Sequence, residues 1–229
     1  MRRRRGSYAR SVPESTEPRF SPLVELPRRR LFGFAVCGAT SAPARVDGAL
    51  AAVARWRRPD PPVVLIDLEL ADLVEPTIAA ALAELAERGI DPDAVMVRVP
   101  AYAPAMARLE HLADRGIGVV VRTLDVDQAE LGLLDGAAID GVQLPPAAVA
   151  ACAHDPRAAA ALRELIAVAH RHDWLILACD VQHADQLAAL AELGCDLVCG
   201  PAVGPAMGRA DAARTIDRYL GGPTAGVPN

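Results

Sequence analysis

Residues 175 to 183 read Leu-Ile-Leu-Ala-Cys-Asp-Val-Gln-His, an apolar run that ends in a thiol, a carboxylate, an amide and an imidazole. Two chemistries use these types. Cys179, Cys199, Cys37 and His183 are soft ligands of the kind zinc takes, and a cysteine with a histidine as base is a nucleophile. The spacing favours neither, because no close ligand pair is present and Cys179 to His183 would span a strand end and a turn. A histidine that opens a helix reads first as a capping or surface residue. Asp67, Glu69, Asp125 and Asp180 are the carboxylates available for a hard divalent cation, which needs several such oxygens converging. Strand alternation cannot aim all four at one point. Arg122 opposes a cation at the same level and suits a phosphate instead.

The elements that must position these groups follow a strand-then-helix rhythm. Phe20 to Leu26 and Leu31 to Val36, joined by Pro-Arg-Arg-Arg, read as a hairpin. Val46 to Trp56 suits a helix, and Val63 to Asp67 is the short apolar run of a strand buried on both faces. Pro76, Ile78, Leu82 and Leu85 mark a helix stopped by Gly89, and Met106, Leu109 and Leu112 mark one stopped by Gly116. Strands are expected at 95–99, 117–121, 141–144, 175–178 and 196–199, and helices near Gln128 to Leu134, through Leu162 to Ala169, and at Ala184 to Leu193. Seven or eight strands in such units close into an α/β barrel, whose working face lies at the C-terminal strand ends. No Gly-rich phosphate loop favours a doubly wound sheet.

Composition narrows the class further. Hydrophobic residues make up 52% of 229, ample for a large core, and no apolar run approaches the roughly 18 residues of a membrane span. The opening Met-Arg-Arg-Arg-Arg lacks the apolar stretch of a secretion signal, so a cytoplasmic location without membrane partners is expected. The five cysteines then read as reduced thiols, with Cys152 and Cys195 packed as small apolar groups. A net charge of -5 argues against general nucleic-acid binding, and the basic runs at Arg2 to Arg5 and Arg28 to Arg30 read as a solvated tail and turn. All 24 basic residues are arginine; the chain contains no lysine. Residues 1–19 are expected as a flexible leader, 20–222 as the barrel domain and 223–229 as a flexible tail.

Between Phe20 and Met207 the chain resembles the EAL-domain family of cyclic-di-GMP phosphodiesterases and their inactive relatives. Phe20-Ser-Pro-Leu-Val-Glu-Leu is similar to the family's opening strand, and Leu31-Phe-Gly-Phe-Ala-Val to the strand bearing its Glu-Ala-Leu signature. The most specific block is Ala184-Asp-Gln-Leu-Ala-Ala-Leu-Ala-Glu-Leu-Gly-Cys-Asp-Leu-Val-Cys-Gly, which resembles the closing Glu-Gln-x-x-x-Leu-x-x-x-Gly-Cys-Asp-x-x-Gln-Gly. The resemblance implies a modified TIM barrel with an antiparallel first strand.

Carried over position by position, the resemblance also implies an emptied catalytic set. The signature glutamate, a metal ligand, falls on Ala35; the asparagine of the next strand on Asp67; the following glutamate on Val97. An aspartate pair falls on Arg122 and Thr123, with Leu124 after them, and the lysine and aspartate of Lys-Ile-Asp fall on Gln143 and Pro145. Two later glutamates become Cys179 and Gln182, and the late glutamine becomes Cys199. Only Asp67 keeps a metal-binding oxygen, so no metal, no cofactor and no hydrolysis are expected. The implied role is a non-catalytic, regulatory protein-protein interaction module in bacterial signalling, with an unidentified protein partner. The alternative is a metal-independent receptor for cyclic di-GMP or another anionic phosphate ligand, held by Arg122, Thr123 and Asp67; an active phosphodiesterase ranks last. The family's pairing through barrel-edge helices makes a homodimer a further expectation.

Overall fold

The computed structural model describes residues 17–26, 28–38, 41–56, 61–101, 106–123, 134 and 136–220. Asp125, Leu124, most of the helix expected from Gln128, most of the leader and the 223–229 tail lie outside them.

Eight strands form a closed barrel in sequential order: β1 (Arg19–Glu25), β2 (Arg30–Cys37), β3 (Val63–Asp67), β4 (Val95–Pro100), β5 (Gly118–Arg122), β6 (Gly141–Gln143), β7 (Leu175–Ala178) and β8 (Leu197–Cys199). The first strand runs antiparallel to both of its neighbours, β2 and β8, and every other pairing is parallel. The expected hairpin of β1 and β2 is therefore present, and the other edge of β1 pairs with β8 to close the barrel. β1 begins at Arg19, one residue inside the stretch expected as leader.

The helices are α1 (Ala42–Trp56), α2 (Pro76–Ala83), α3 (Met106–Ala113), α4 (Pro146–Ala151), α5 (Pro156–Arg171), α6 (Ala184–Leu193) and α7 (Arg209–Leu220). Local chemistry sets their ends. Pro76 and Pro156 open α2 and α5, and the preceding Glu75 and Asp155 carboxylates accept from the backbone N–H of Ile78 at 3.0 Å and Arg157 at 2.8 Å. The chain leaves α3 through Gly116, whose φ of +76° is a conformation other side chains resist. α7 is absent from the sequence expectations; Ala212 and Ile216, four residues apart on its buried face, are the periodic signal it offers. Short α4 also escaped expectation, its six residues giving too little periodicity.

Strand alternation sorts apolar side chains into two layers. One fills the lumen, from Leu23, Ala35, Leu65, Met96, Val120, Leu177, Cys179, Leu197 and Cys199. The other lies between strands and helices and includes Val64, Ile66, Val97, Val99, Val119, Val121, Val142, Ile176 and Val198. Both faces of the sheet are thus dry, which is why the strands read as unbroken apolar runs. Cys152 and Cys195 sit in the outer layer as small apolar groups. No helix among the described residues is long and apolar enough to cross a membrane.

Candidate functional site

The lumen layer ends upward in charge. β3 finishes at Asp67, β4 carries Arg98 beside it in register, and β5 finishes at Arg122. Alternation turns Asp67, Arg98 and Arg122 to the same side as Leu65, Met96 and Val120, and the closed barrel brings them together over the lumen.

Asp67 is the hub. Its Oδ1 accepts from Arg98 Nε at 3.2 Å and lies 3.4 Å from Arg122 Nη1, while its backbone carbonyl accepts from Arg45 Nε of α1 at 3.2 Å. Arg122 Nη2 reaches on to Glu69 Oε1 at 2.6 Å, in the loop after β3. Arg98 extends across the lumen in the other direction, and its Nη1 donates to Cys179 Sγ at 2.8 Å. The chain of contacts ends where the Cys199 thiol donates to Cys179 Sγ at 3.2 Å.

The backbone beyond β7 and β8 seats the two sulfurs. Val181 N–H donates to the Cys199 carbonyl at 3.1 Å, and Ala202 N–H donates to the Val181 carbonyl at 2.9 Å. Gly200 makes this stitching possible: its φ is +140°, and a Cβ there would stand 2.4 Å from Val181 N.

The electrostatics follow from these contacts. Burial works against the charge on Arg98, and the adjoining Cys179 and Asp67 more than offset it, holding the guanidinium above its ordinary value. For Cys179 the hydrogen bond from Cys199, aided by Arg98, outweighs burial and holds the thiol below its ordinary value. Cys199 is pushed well above that value by the same hydrogen bond and by burial. The two shifts run in opposite directions because one hydrogen bond joins the groups, with Cys199 donating and Cys179 accepting.

The other expected positions fall as follows. Ala35 lines the lumen among Leu65, Cys179 and Cys199. Val97 does not face the site: it is fully buried in the outer layer, and its neighbour Arg98 holds the lumen position. A one-residue offset moves a strand side chain to the opposite face, which explains the difference. Thr123 is buried and its hydroxyl donates to the Gln143 carbonyl at 2.8 Å, so it is committed to the sheet. Gln143 is buried beside Arg122 in register, with its Oε1 unpartnered among the described residues. Gln182 points away, its Nε2 donating to the Asp180 carbonyl at 3.1 Å. His183 is exposed at the start of α6, where Gln186 Oε1 accepts from its backbone N–H at 3.0 Å, so it caps a helix and is no base for Cys179. The residue missed from the sequence is Arg98, and the signal was a single charge inside the apolar run Val95-Met-Val-Arg-Val.

The comparisons agree with this architecture. A family model for the EAL domain matches residues 42–206, and the chain belongs to that family. No curated protein matches it. The EAL domain of Mycobacterium smegmatis DcpA superposes with a TM-score of 0.79 at 17% identity, covering 89% of this chain and 96% of that one. PaMucR phosphodiesterase in complex with c-di-GMP gives 0.74 at 15%, covering 85% and 92%. The Xanthomonas citri FimX EAL domain in complex with c-diGMP gives 0.68 at 16%, covering 82% and 87%. At such identities the likeness carries the fold.

The family resemblance implies two divalent cations, which would need several free carboxylate oxygens at the barrel mouth. Among the described residues no group of three His, Cys, Asp or Glu side chains is placed to hold a metal ion. Asp67 and Glu69 both face guanidinium groups, and Arg98 contributes a positive charge beside Asp67 at the barrel mouth. These residues do not fit a pair of hard cations, which require several free carboxylate oxygens.

Proposed function

We propose that this EAL domain does not hydrolyse cyclic di-GMP and serves as a non-catalytic regulatory module, working in the cytoplasm through contact with a protein partner. One observation carries the reading: Asp67, the strand-end carboxylate of the barrel mouth, is neutralised by Arg98 and Arg122 together. Metal-assisted phosphodiester cleavage needs an ion to polarise the phosphate and to lower the pKa of the attacking water. A mouth whose Asp67 and Glu69 are taken up by arginines is suited to neither task. The intact barrel beside it supports a role exerted by the scaffold.

The test is direct. Incubated with cyclic di-GMP and Mg²⁺ or Mn²⁺, the protein yields no linear pGpG by chromatography, whereas turnover that Asp67→Ala abolishes would overturn the proposal. Pull-downs from a bacterial lysate and mass photometry then look for the partner and for a homodimer. A protein that neither captured a partner nor self-associated would remove the support for the interaction role.

A second reading, a metal-free receptor for a cyclic dinucleotide or another phosphate ligand, is favoured by the partly exposed Arg122 at the mouth and by the c-di-GMP complexes of PaMucR and FimX. It requires phosphate to displace Glu69 from Arg122. Calorimetry with cyclic di-GMP tests it: binding abolished by Arg122→Glu supports the receptor, and binding that Arg122→Glu leaves unchanged removes the anchor.

A further inference from the structure

The lumen holds a second reactive arrangement that the proposed function does not use. Cys179 and Cys199 follow directly on Ala178 and Val198, which are register partners on β7 and β8. Neighbouring strands lie roughly 4.8 Å apart, within the Cα separation a disulfide spans. The sulfurs already stand 3.2 Å from each other, so closure to the roughly 2.05 Å of an S–S bond asks for little backbone movement. We propose that Cys179 and Cys199 form a peroxide-sensitive dithiol that closes to a disulfide across β7 and β8.

Three features assign the roles. Arg98 Nη1, 2.8 Å from Cys179 Sγ, stabilises a thiolate there, and Asp67 fixes that guanidinium in place. Cys199, whose thiol points its proton at Cys179, is the resolving partner. Both residues are buried, with 6% and 5% exposure, so the oxidant has to be as small as hydrogen peroxide, and bulky disulfides are shut out. The Cys179 thiolate attacks one peroxide oxygen and breaks the O–O bond; that oxygen stays on sulfur as sulfenic acid, and the other leaves as hydroxide and takes a solvent proton. Cys199 sulfur then attacks Cys179 sulfur, and the sulfenic oxygen departs with the Cys199 proton as a second water. Two electrons pass from the two sulfurs to the peroxide. The disulfide deprives Arg98 of its thiolate partner, so oxidation changes the charge balance around Asp67.

The experiment uses the full chain treated with hydrogen peroxide, quenched with catalase, alkylated under denaturing conditions and digested before aspartate. That cleavage separates Cys179 in 173–179, Cys195 in 185–195 and Cys199 in 196–210, which a cut at arginine leaves together. The expected result is a 173–179 to 196–210 crosslink, reversed by dithiothreitol, with Cys152 and Cys195 still alkylated. In Cys199→Ser the reaction stops at a sulfenic acid on Cys179, trapped by dimedone. Full alkylation of Cys179 and Cys199 at a dose that oxidises the exposed Cys37, or a crosslink of either to Cys37, would overturn the proposal. The wild-type map decides the matter even if the variant does not fold.

Discussion

Arg98 and Asp67 are register partners on neighbouring parallel strands, and the Arg98 Nε donates to Asp67 Oδ1 at 3.2 Å inside the mouth of the barrel. A half-buried carboxylate against a mostly buried guanidinium is costly to separate, because the charge left behind has lost its counterpart and cannot recover full hydration.

Asp67→Ala is expected to lower stability by about 1–3 kcal/mol, a loss of several degrees in thermal midpoint, since it strips Arg98 and Arg122 of a shared partner. Arg98→Met, which fills the lumen without charge, costs less in the Asp67→Ala background than alone. Urea denaturation of both single variants and the double measures the coupling, and strictly additive losses would contradict a mutual dependence.

Gln143 makes the opposite case. Its Oε1 is buried and unpartnered among the described residues, so the amide bears a desolvation cost. Gln143→Met keeps length and volume while removing that cost, and the thermal midpoint is expected to hold or rise. A fall of more than a few degrees would show that the amide has a partner.

The barrel was readable from the sequence because its strands are short β-branched runs at a regular interval, from Val63 through Val198, with glycines and prolines as punctuation. The site was readable only in part. Asp67, Arg122, Cys179 and Cys199 stood at strand ends where the barrel rule looks, and they meet there. Arg98 did not come to light, because whether Val97 or Arg98 faces inward turns on a single residue of register, and an apolar run buried on both faces does not reveal it. The clustering of charge on one another's side chains was equally hidden, since it depends on barrel closure bringing β3, β4, β5 and β7 around a common centre.

Gly200 is expected to tolerate no side chain. With φ at +140° and Val181 N only 2.4 Å from where a Cβ would stand, Gly200→Ala meets both backbone strain and overlap with main chain. A loss of about 2–4 kcal/mol follows from these two costs together. Faster hydrogen exchange at Val181 and Ala202, whose amides bind across this turn, gives the local readout. Unchanged exchange there would mean that the turn does not depend on glycine.

The thiol pair gives stability a pH dependence with a definite sign. Cys179 is held below the ordinary thiol value of 9.0, so over the interval between its folded value and 9.0 the unfolded chain binds a proton the folded chain has released. Stability from this group therefore rises with pH across that interval and is lost as pH falls through the folded value. Cys199 is displaced the other way; above 9.0 the unfolded chain gives up a proton the folded chain retains, and its contribution declines as pH climbs further. The difference in unfolding free energy between wild type and Cys179→Ser, measured in urea from about pH 6 to about pH 10, is expected to grow toward 9.0 and shrink beyond it. A difference that stays flat over that range would mean that Arg98 and Cys199 do not hold a thiolate between them.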